Sequence, residues 1–190
     1  MADSSFGTPE IHPESYVHNK SSVIGRVIIE AGVIVAPSAS IRADEGNPFK
    51  ICKGTNIQDG VIMHGLEGKY VEAEGKEFSI WIGSHCSITH NALIHGPTKI
   101  GKKTFIGFKS IINNSIIGRN CHIGDGAIVK GVIIADGRYV DDGQVVNSQR
   151  IADSLLIASA EKQEFNKVVV DVNKKKLLGR YKQQGVIISE

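Results

Sequence analysis

The sequence predicts an all-β fold built from a short repeat, with helix confined to the C-terminal end. Three observations predict it. The 190 residues include 27 Ile and 17 Val but only 6 Leu. β-Branched side chains are stiff at χ1 and suit pleated, half-buried surfaces, whereas Leu is the better helix former. The 21 Gly exceed the usual share of about 7%, so the chain turns often. Finally, β-branched apolar residues recur every six positions through most of the chain.

The repeat starts at Ile11 and steps by six through Val17, Val23, Ile29, Val35 and Ile41. After four extra residues it resumes at Ile51, Ile57 and Met63, and after 13 more at Ile82, Ile88, Ile94, Ile100, Ile106 and Ile112. One residue is dropped before Ile117, Ile123 and Val129, and another before Ile134, Val140 and Val146. Twenty of these 21 anchors are Ile or Val, which together make up only 44 of 190 residues. The position four after each anchor is small or β-branched: Ser15, Ser21, Val27, Val33, Ala39, Thr55, Val61, Cys86, Ala92, Thr98, Thr104, Ser110, Cys121 and Ala127. Anchor and fourth position face inward, and the residue after the anchor faces outward by strand alternation. A small residue at the fourth position lets the chain turn a tight corner. An ordinary sandwich would instead show irregular spacing and hairpin signals.

This pattern resembles the hexapeptide repeat of left-handed β-helices, in which three hexads form one triangular coil and coils stack as parallel strands. Twenty-one anchors imply a left-handed parallel β-helix of about seven coils over residues 1–150. Cys86 and Cys121 fall on inward positions as core thiols, and Cys52 faces outward. Residues 151–190 form a C-terminal helical segment. Ser159 is its N-cap, with Glu161 and Glu164 in the first turn. Phe165, Val168, Val169 and Val172 follow at helical spacing, and Gly179 ends or bends the helix. The Val-Val-Val run also suits a strand, but the expected arrangement is an α-helix packed alongside one face of the coil.

Charge excludes some partners. The 22 Lys and Arg nearly balance 20 Asp and Glu, and no basic run interleaves with aromatic residues, so nucleic acid is not an expected partner. The stretch Lys174-Lys175-Lys176 reads as a solvated helix face. No apolar stretch approaches the roughly 18 residues of a membrane span, and the N-terminal residues lack the basic and apolar regions of a secretory signal. Three Cys, widely separated, form neither a disulfide framework nor a paired metal motif. A cytoplasmic location follows as the expectation.

The candidate chemistry lies among seven His. His12, His18, His85 and His122 stand alone and read as surface or structural residues. His64 and His95 each follow an anchor. They are 31 residues apart, and removing the 13-residue insertion leaves 18, or one coil. They therefore stack on one outer face, roughly 4.8 Å apart, where two imidazoles can share a metal. Arg42 is one coil earlier by the same rule. His90 lies on the preceding face, with Gln58 one coil below it. A rigid prism cannot turn His90 toward His64 and His95, but in a threefold assembly it can complete their site from an adjacent chain. Three His with an open position match catalytic zinc, and no Cys is positioned to close the site as a structural one. Glu45 and Glu67 put carboxylates where small inward residues are expected, each at the start of an insertion. Such breaks mark functional sites, although a deforming coil would also release a Glu to water.

The stretches Ile41-Arg42-Ala43-Asp44-Glu45-Gly46, Asn56-Ile57-Gln58-Asp59-Gly60, His64-Gly65-Leu66-Glu67, Ile88-Thr89-His90 and Ile94-His95-Gly96-Pro97 together resemble γ-class carbonic anhydrases. They are similar to the archaeal enzyme and to the carbonic-anhydrase-like domain of the carboxysome scaffold, over about Ile24 to Asn173. The resemblance implies a homotrimer with metal at its interfaces, held by His64 and His95 of one chain and His90 of the next. The metal would be Zn2+, with Fe2+ or Co2+ also accepted by imidazole, and the reaction a lyase's reversible hydration of CO2 to bicarbonate by metal-bound hydroxide. It further implies that Gln58 and Asn56 orient the hydroxide, that Arg42 reaches bicarbonate and pairs with Asp59 across the interface, and that Asp44 holds Arg42. Glu45 and Glu67 would move protons, and Asn173 would lie near substrate. The chain departs from the archaeal pattern at Asp171, where that enzyme has Tyr, and in a shorter loop, Glu67 to Ser79, which keeps Glu72, Glu74 and Glu77. The alternatives are a non-catalytic scaffold of the same fold and, further off, a hexapeptide acyltransferase.

Overall fold

The computed structural model describes residues 7–184; the first six, on which the signal reading partly rests, lie outside them. The chain winds seven times around a triangular prism. Each of the three faces is a sheet of seven parallel strands that recur every third strand of the coil. The second face carries an eighth strand, Leu156–Ile157, paired antiparallel to Arg138–Val140. This is the left-handed parallel β-helix that the repeat predicts.

Every anchor pairs with the anchor one coil away. On the first face Ile11, Ile29, Ile51, Ile82, Ile100, Ile117 and Ile134 are in register. Val17 to Val140 line up in the same way on the second face, and Val23 to Val146 on the third. From Ile29 onward these side chains are at most 1% exposed. The insertions and deletions therefore fall at corners and leave the core columns unbroken.

The fourth positions do more than fit a corner. Ser15 and Ser21 hydroxyls donate to the carbonyls of Glu30 and Ala36. Thr55 donates to Gly83, Thr104 to Gly118 and Ser110 to Gly124, while the Cys86 and Cys121 thiols point at the carbonyls of Gly101 and Ala135. Each satisfies a corner carbonyl one coil further on, which burial would otherwise leave costly. All three Cys are buried and free. Cys52 is a correction: alternation sends it outward, yet it is 4% exposed, and burial pushes its thiol up to about 12.

The 13-residue insertion is a hairpin, Val71–Ala73 against Lys76–Phe78, folded onto the first face. Val71, Ala73 and Phe78 pack against Ile28, Trp81 and Ile116. Glu74 is anchored by Lys50, whose amine also meets Glu30 at 2.8 Å.

After the last coil, Gln149–Asp153 forms a short helix, with Ala152 and Leu155 buried against the final core layer. The long helix Ala160–Val172 begins at Ser159, whose hydroxyl accepts from the Lys162 amide at 3.3 Å. The helix runs back along the second face, where Tyr181 stacks on Tyr16 of the first coil at 5.3 Å. Its buried residues are Asn166 and Val170, whereas Phe165, Val168 and Val172 remain exposed. Phe165 meets Phe105 edge-on at 5.2 Å, but the rest of the apolar spacing does not mark the buried positions. The helix sits on a polar corner, where Asn166 donates to the His85 carbonyl at 3.1 Å. Gly179 does not end it: one π turn, Asn173–Leu177, leads into Leu178–Gln184.

His122 lies beneath this helix, stacked on Phe105 at 4.7 Å and near Phe165. Burial, then the Lys162 charge, lowers its pKa below the ordinary 6.5; the Lys162 backbone contact, Asp142 and Asp125 oppose this. His85, under the same helix, is lowered by burial and then by Lys174, Lys53 and Lys103. For both, the unfolded chain binds more protons between the lowered pKa and about 6.5, so stability rises with pH through that window and is complete above it. Acidification below about 6.5 should loosen the helix, and His122→Phe should reduce that pH dependence in amide exchange of residues 160–172.

Candidate functional site

The third face carries an outward ladder. Arg42 pairs with His64, His64 with His95, His95 with Asn113 and Asn113 with Lys130. The His64 and His95 rings are 5.5 Å apart between centroids, inclined at 65°. His95 Nδ1 is 2.9 Å from the Gly96 carbonyl oxygen. A carbonyl only accepts, so this contact is a hydrogen bond when Nδ1 carries the hydrogen, the neutral tautomer in which Nε2 holds the lone pair. His64 Nε2 faces Asp44 Oδ1 at 3.5 Å and Glu45 Oε2 at 3.6 Å, too long for hydrogen bonds. Asn113 and Lys130 were not among the expected site residues, although the same 18-residue step from His95 reaches Asn113.

An open cleft lies beside this ladder, lined by Arg42, Asp44, Glu45, His64 and Glu67. Arg42 donates to Asp44 Oδ2 through Nε and Nη2, both at 2.9 Å. Burial alone would raise the Asp44 pKa, but the Arg42 hydrogen bond and charge outweigh it and hold the carboxyl below its usual range. Asp44 Oδ1 is buried without a hydrogen-bond partner among the described residues. Glu45 and Glu67 are both exposed at the cleft, so their breaks in the repeat turn carboxylates out of the core. The hairpin carries Glu72, Glu74 and Glu77 onto the first face instead.

Three glycines fix the corner that follows the ladder. Gly65 follows His64, Gly96 follows His95, and Gly46 comes from the first insertion. A Cβ on Gly65 would lie 2.3 Å from the Gly46 oxygen, and one on Gly46 would lie 2.4 Å from the Leu66 nitrogen. The two insertions cross here backbone on backbone.

On the second face Asn56 is buried and donates to Ser87 Oγ at 3.0 Å, while its Oδ1 accepts from Gln58 Nε2 at 3.0 Å. Gln58 Oε1 is thereby turned away from Asn56. Extending the pairing of Ile57 with Ile88 by two residues puts Asp59, not Gln58, one coil below His90. His90 Nδ1 lies 3.2 Å from Asp59 Oδ2, and its ring lies against Phe108 at 5.4 Å. Asn173 donates to the Val169 carbonyl within its own helix and meets none of these residues. Among the described residues of one chain, no group of three or more His, Cys, Asp or Glu is gathered to hold a metal.

Residues 97–131 match the family described as bacterial transferase hexapeptide (six repeats). A stretch of 112 residues, 58% of this chain and 20% of the relative, is 54% identical to the carboxysome assembly protein CcmM of a Nostoc species. Another of 124 residues, 57% of this chain and 50% of the relative, is 42% identical to the carbonic anhydrase of Methanosarcina thermophila. The chain thus spans half or less of the length of these relatives. A hexapeptide transferase family protein from Anaplasma phagocytophilum superposes with a TM-score of 0.75 over 92% of this chain and 93% of that one, at 18% identity; this likeness shows the fold alone. Over somewhat more than half of its length the chain is thus similar to a carbonic anhydrase and to a carboxysome assembly protein. No helix among the described residues is long and apolar enough to cross a membrane.

Proposed function

We propose that the chain is a metal-dependent carbonic anhydrase, cytoplasmic and homotrimeric, that hydrates CO2 reversibly at its subunit interfaces. The observation that carries this reading is the register of His64 on His95, with His90 turned to a different corner. The donors suit a divalent ion such as Zn2+, Fe2+ or Co2+: His95 has a free Nε2, and His64 Nε2 opens on the cleft. His90 of the adjacent chain supplies the third imidazole. An apolar ladder on the same face, Ile62, Leu93, Ile111, Ile128 and Val145, supports subunit contact there. Ile62 and Val145 are each 46% exposed in the single chain, and burying such surface favours association.

A divalent ion at this site would supply hydroxide near neutral pH, because it lowers the pKa of bound water to about 7. Gln58 Oε1, steadied through Asn56, accepts a hydrogen and orients the nucleophile. Arg42, fixed by Asp44, draws the bicarbonate anion and pairs with Asp59 of the adjacent chain. Glu45 and Glu67 carry protons from the cleft to buffer, and Asn173 of a neighbouring helix lies toward substrate. Metal analysis and a CO2-hydration assay, on protein prepared with and without air, test the reading. About one ion per subunit with hydration in either preparation is expected. Metal without hydration in both would assign the domain to assembly, the role in the name of its carboxysomal relative. A hexapeptide acyltransferase would need one catalytic His and a CoA groove, and leaves the register of His64 on His95 unexplained.

Glu67→Ala should slow turnover on the order of tenfold to a hundredfold in weak buffer, with recovery in concentrated imidazole. No recovery in stopped-flow assays would remove Glu67 from proton transfer.

A further inference from the structure

Each imidazole that serves as a ligand through Nε2 needs its hydrogen held on Nδ1. For His95 the Gly96 carbonyl does this at 2.9 Å. For His90 the group within reach of Nδ1 is the Asp59 carboxylate, 3.2 Å away. Asp59 occupies this position because the coil register stacks it directly beneath His90. Phe108 closes another side of the ring at 5.4 Å.

We propose that Asp59 is the positioning residue of His90: its Oδ2 takes the Nδ1 hydrogen, fixes the tautomer and ring plane, and presents Nε2 to the neighbouring chain. This rests on the interfacial metal site proposed above and goes beyond the pairing of Asp59 with Arg42. The two contacts do not compete. Arg42 spends Nε and Nη2 on Asp44, which leaves Nη1 for a partner, and Asp59 keeps Oδ1 for it. The carboxylate would thus join the His90 of its own chain to the Arg42 of the next. In the single chain both side chains of the His90–Asp59 pair are about half exposed, at 49% and 54%, so the contact is weak there. Covering by a second subunit removes water and strengthens it.

The test uses the full chain with three substitutions, each checked for trimer formation. Zinc affinity should fall about tenfold to a hundredfold in Asp59→Ala. Asp59→Asn, whose amide oxygen still accepts from Nδ1, should recover most of it. Arg42→Gln should stay within about threefold of the parent, since it leaves the His90 contact intact. An unchanged affinity in Asp59→Ala overturns the proposal. So does an equal loss in Arg42→Gln, which would trace the effect to the interchain ion pair. Nitrogen-15 spectra of metal-free, histidine-labelled trimer at alkaline pH give a separate readout. His90 should be the Nδ1–H tautomer in the parent and shift toward Nε2–H in Asp59→Ala. An Nε2–H tautomer in the parent overturns the proposal. If the parent binds no metal yet shows the Nδ1–H tautomer, the metal-site reading fails while the Asp59–His90 contact stands.

Discussion

His90→Ala should lose its bound metal and on the order of a thousandfold or more of hydration activity, and should regain both when mixed with an equally inactive His64→Ala chain. The first half follows from ligand count: His64 and His95 alone leave an ion with two imidazoles, short of the three that catalytic zinc sites retain. The second half follows from geometry. His64 and His95 share one face by direct register, and His90 projects from a different corner against Asp59. A rigid coil cannot bring the three together within one subunit. In a mixed trimer, an interface formed by the third face of a His90→Ala chain and the His90 corner of a His64→Ala chain is intact. Random mixing makes about a quarter of interfaces of this kind, so metal content and hydration should approach a quarter of the parent level. Both variants should keep the circular dichroism of the parent, since His64 and His90 lie outside the core columns. Full metal content in His90→Ala alone would sink the interface site. A mixture that exchanges subunits yet stays inactive would mean that the three His do not meet across chains.

The coil was legible because its signal is arithmetic. Ile and Val side chains must stack on one another to fill a prism, so the spacing of anchors is the register, and the phase breaks locate the insertions. The same ruler aligned Arg42, His64 and His95. Applied to His90 it gives Asp59, since 31 residues separate both pairs; Gln58 is one position off. What the repeat could not supply was the destination of segments that leave it. The 13-residue insertion starts at the cleft, yet Val71 and Phe78 draw it onto Trp81 and Ile116 on another face, taking its acidic residues away from His64. Cys52 is outward by alternation but buried in the folded chain. The C-terminal helix misled for a related reason. Its Phe165, Val168 and Val172 have the right period for a docked stripe, but Val168 and Val172 stay exposed while Phe165 rests edge-on against Phe105, and the buried positions are Asn166 and Val170. Within the site, residues read from position alone, such as His64 and His95, were found where expected. Asn173, whose expected place near substrate rests on the resemblance alone, donates to the Val169 carbonyl within its own helix.

Gly65→Ala is expected to lower stability by about 1–3 kcal/mol and to weaken metal binding, although it adds one methyl group and touches no ligand. The added Cβ would stand 2.3 Å from the Gly46 carbonyl oxygen and 2.8 Å from its carbon. These are backbone atoms of the first insertion, which cannot swing away as a side chain would. Relief must come from moving either the Asp44–Gly46 segment or the strand that ends in His64. The first carries Asp44 and Glu45 out of the cleft; the second shifts His64 against His95. For a chain of this size about 2–4 °C of melting temperature is lost per kcal/mol, so thermal unfolding in chelator should show a drop of several degrees. Gly179→Ala is the control. It lies in the C-terminal helix with nothing among the described residues within 4 Å of its added Cβ, and replacing a helical Gly by Ala is worth up to about 1 kcal/mol of stabilisation. The two substitutions are chemically identical, so opposite shifts would isolate the backbone crossing as the cause. A Gly65→Ala chain that melts with the parent would show that the corner yields freely. The close approach of the two insertions would then have no part in holding His64 in register.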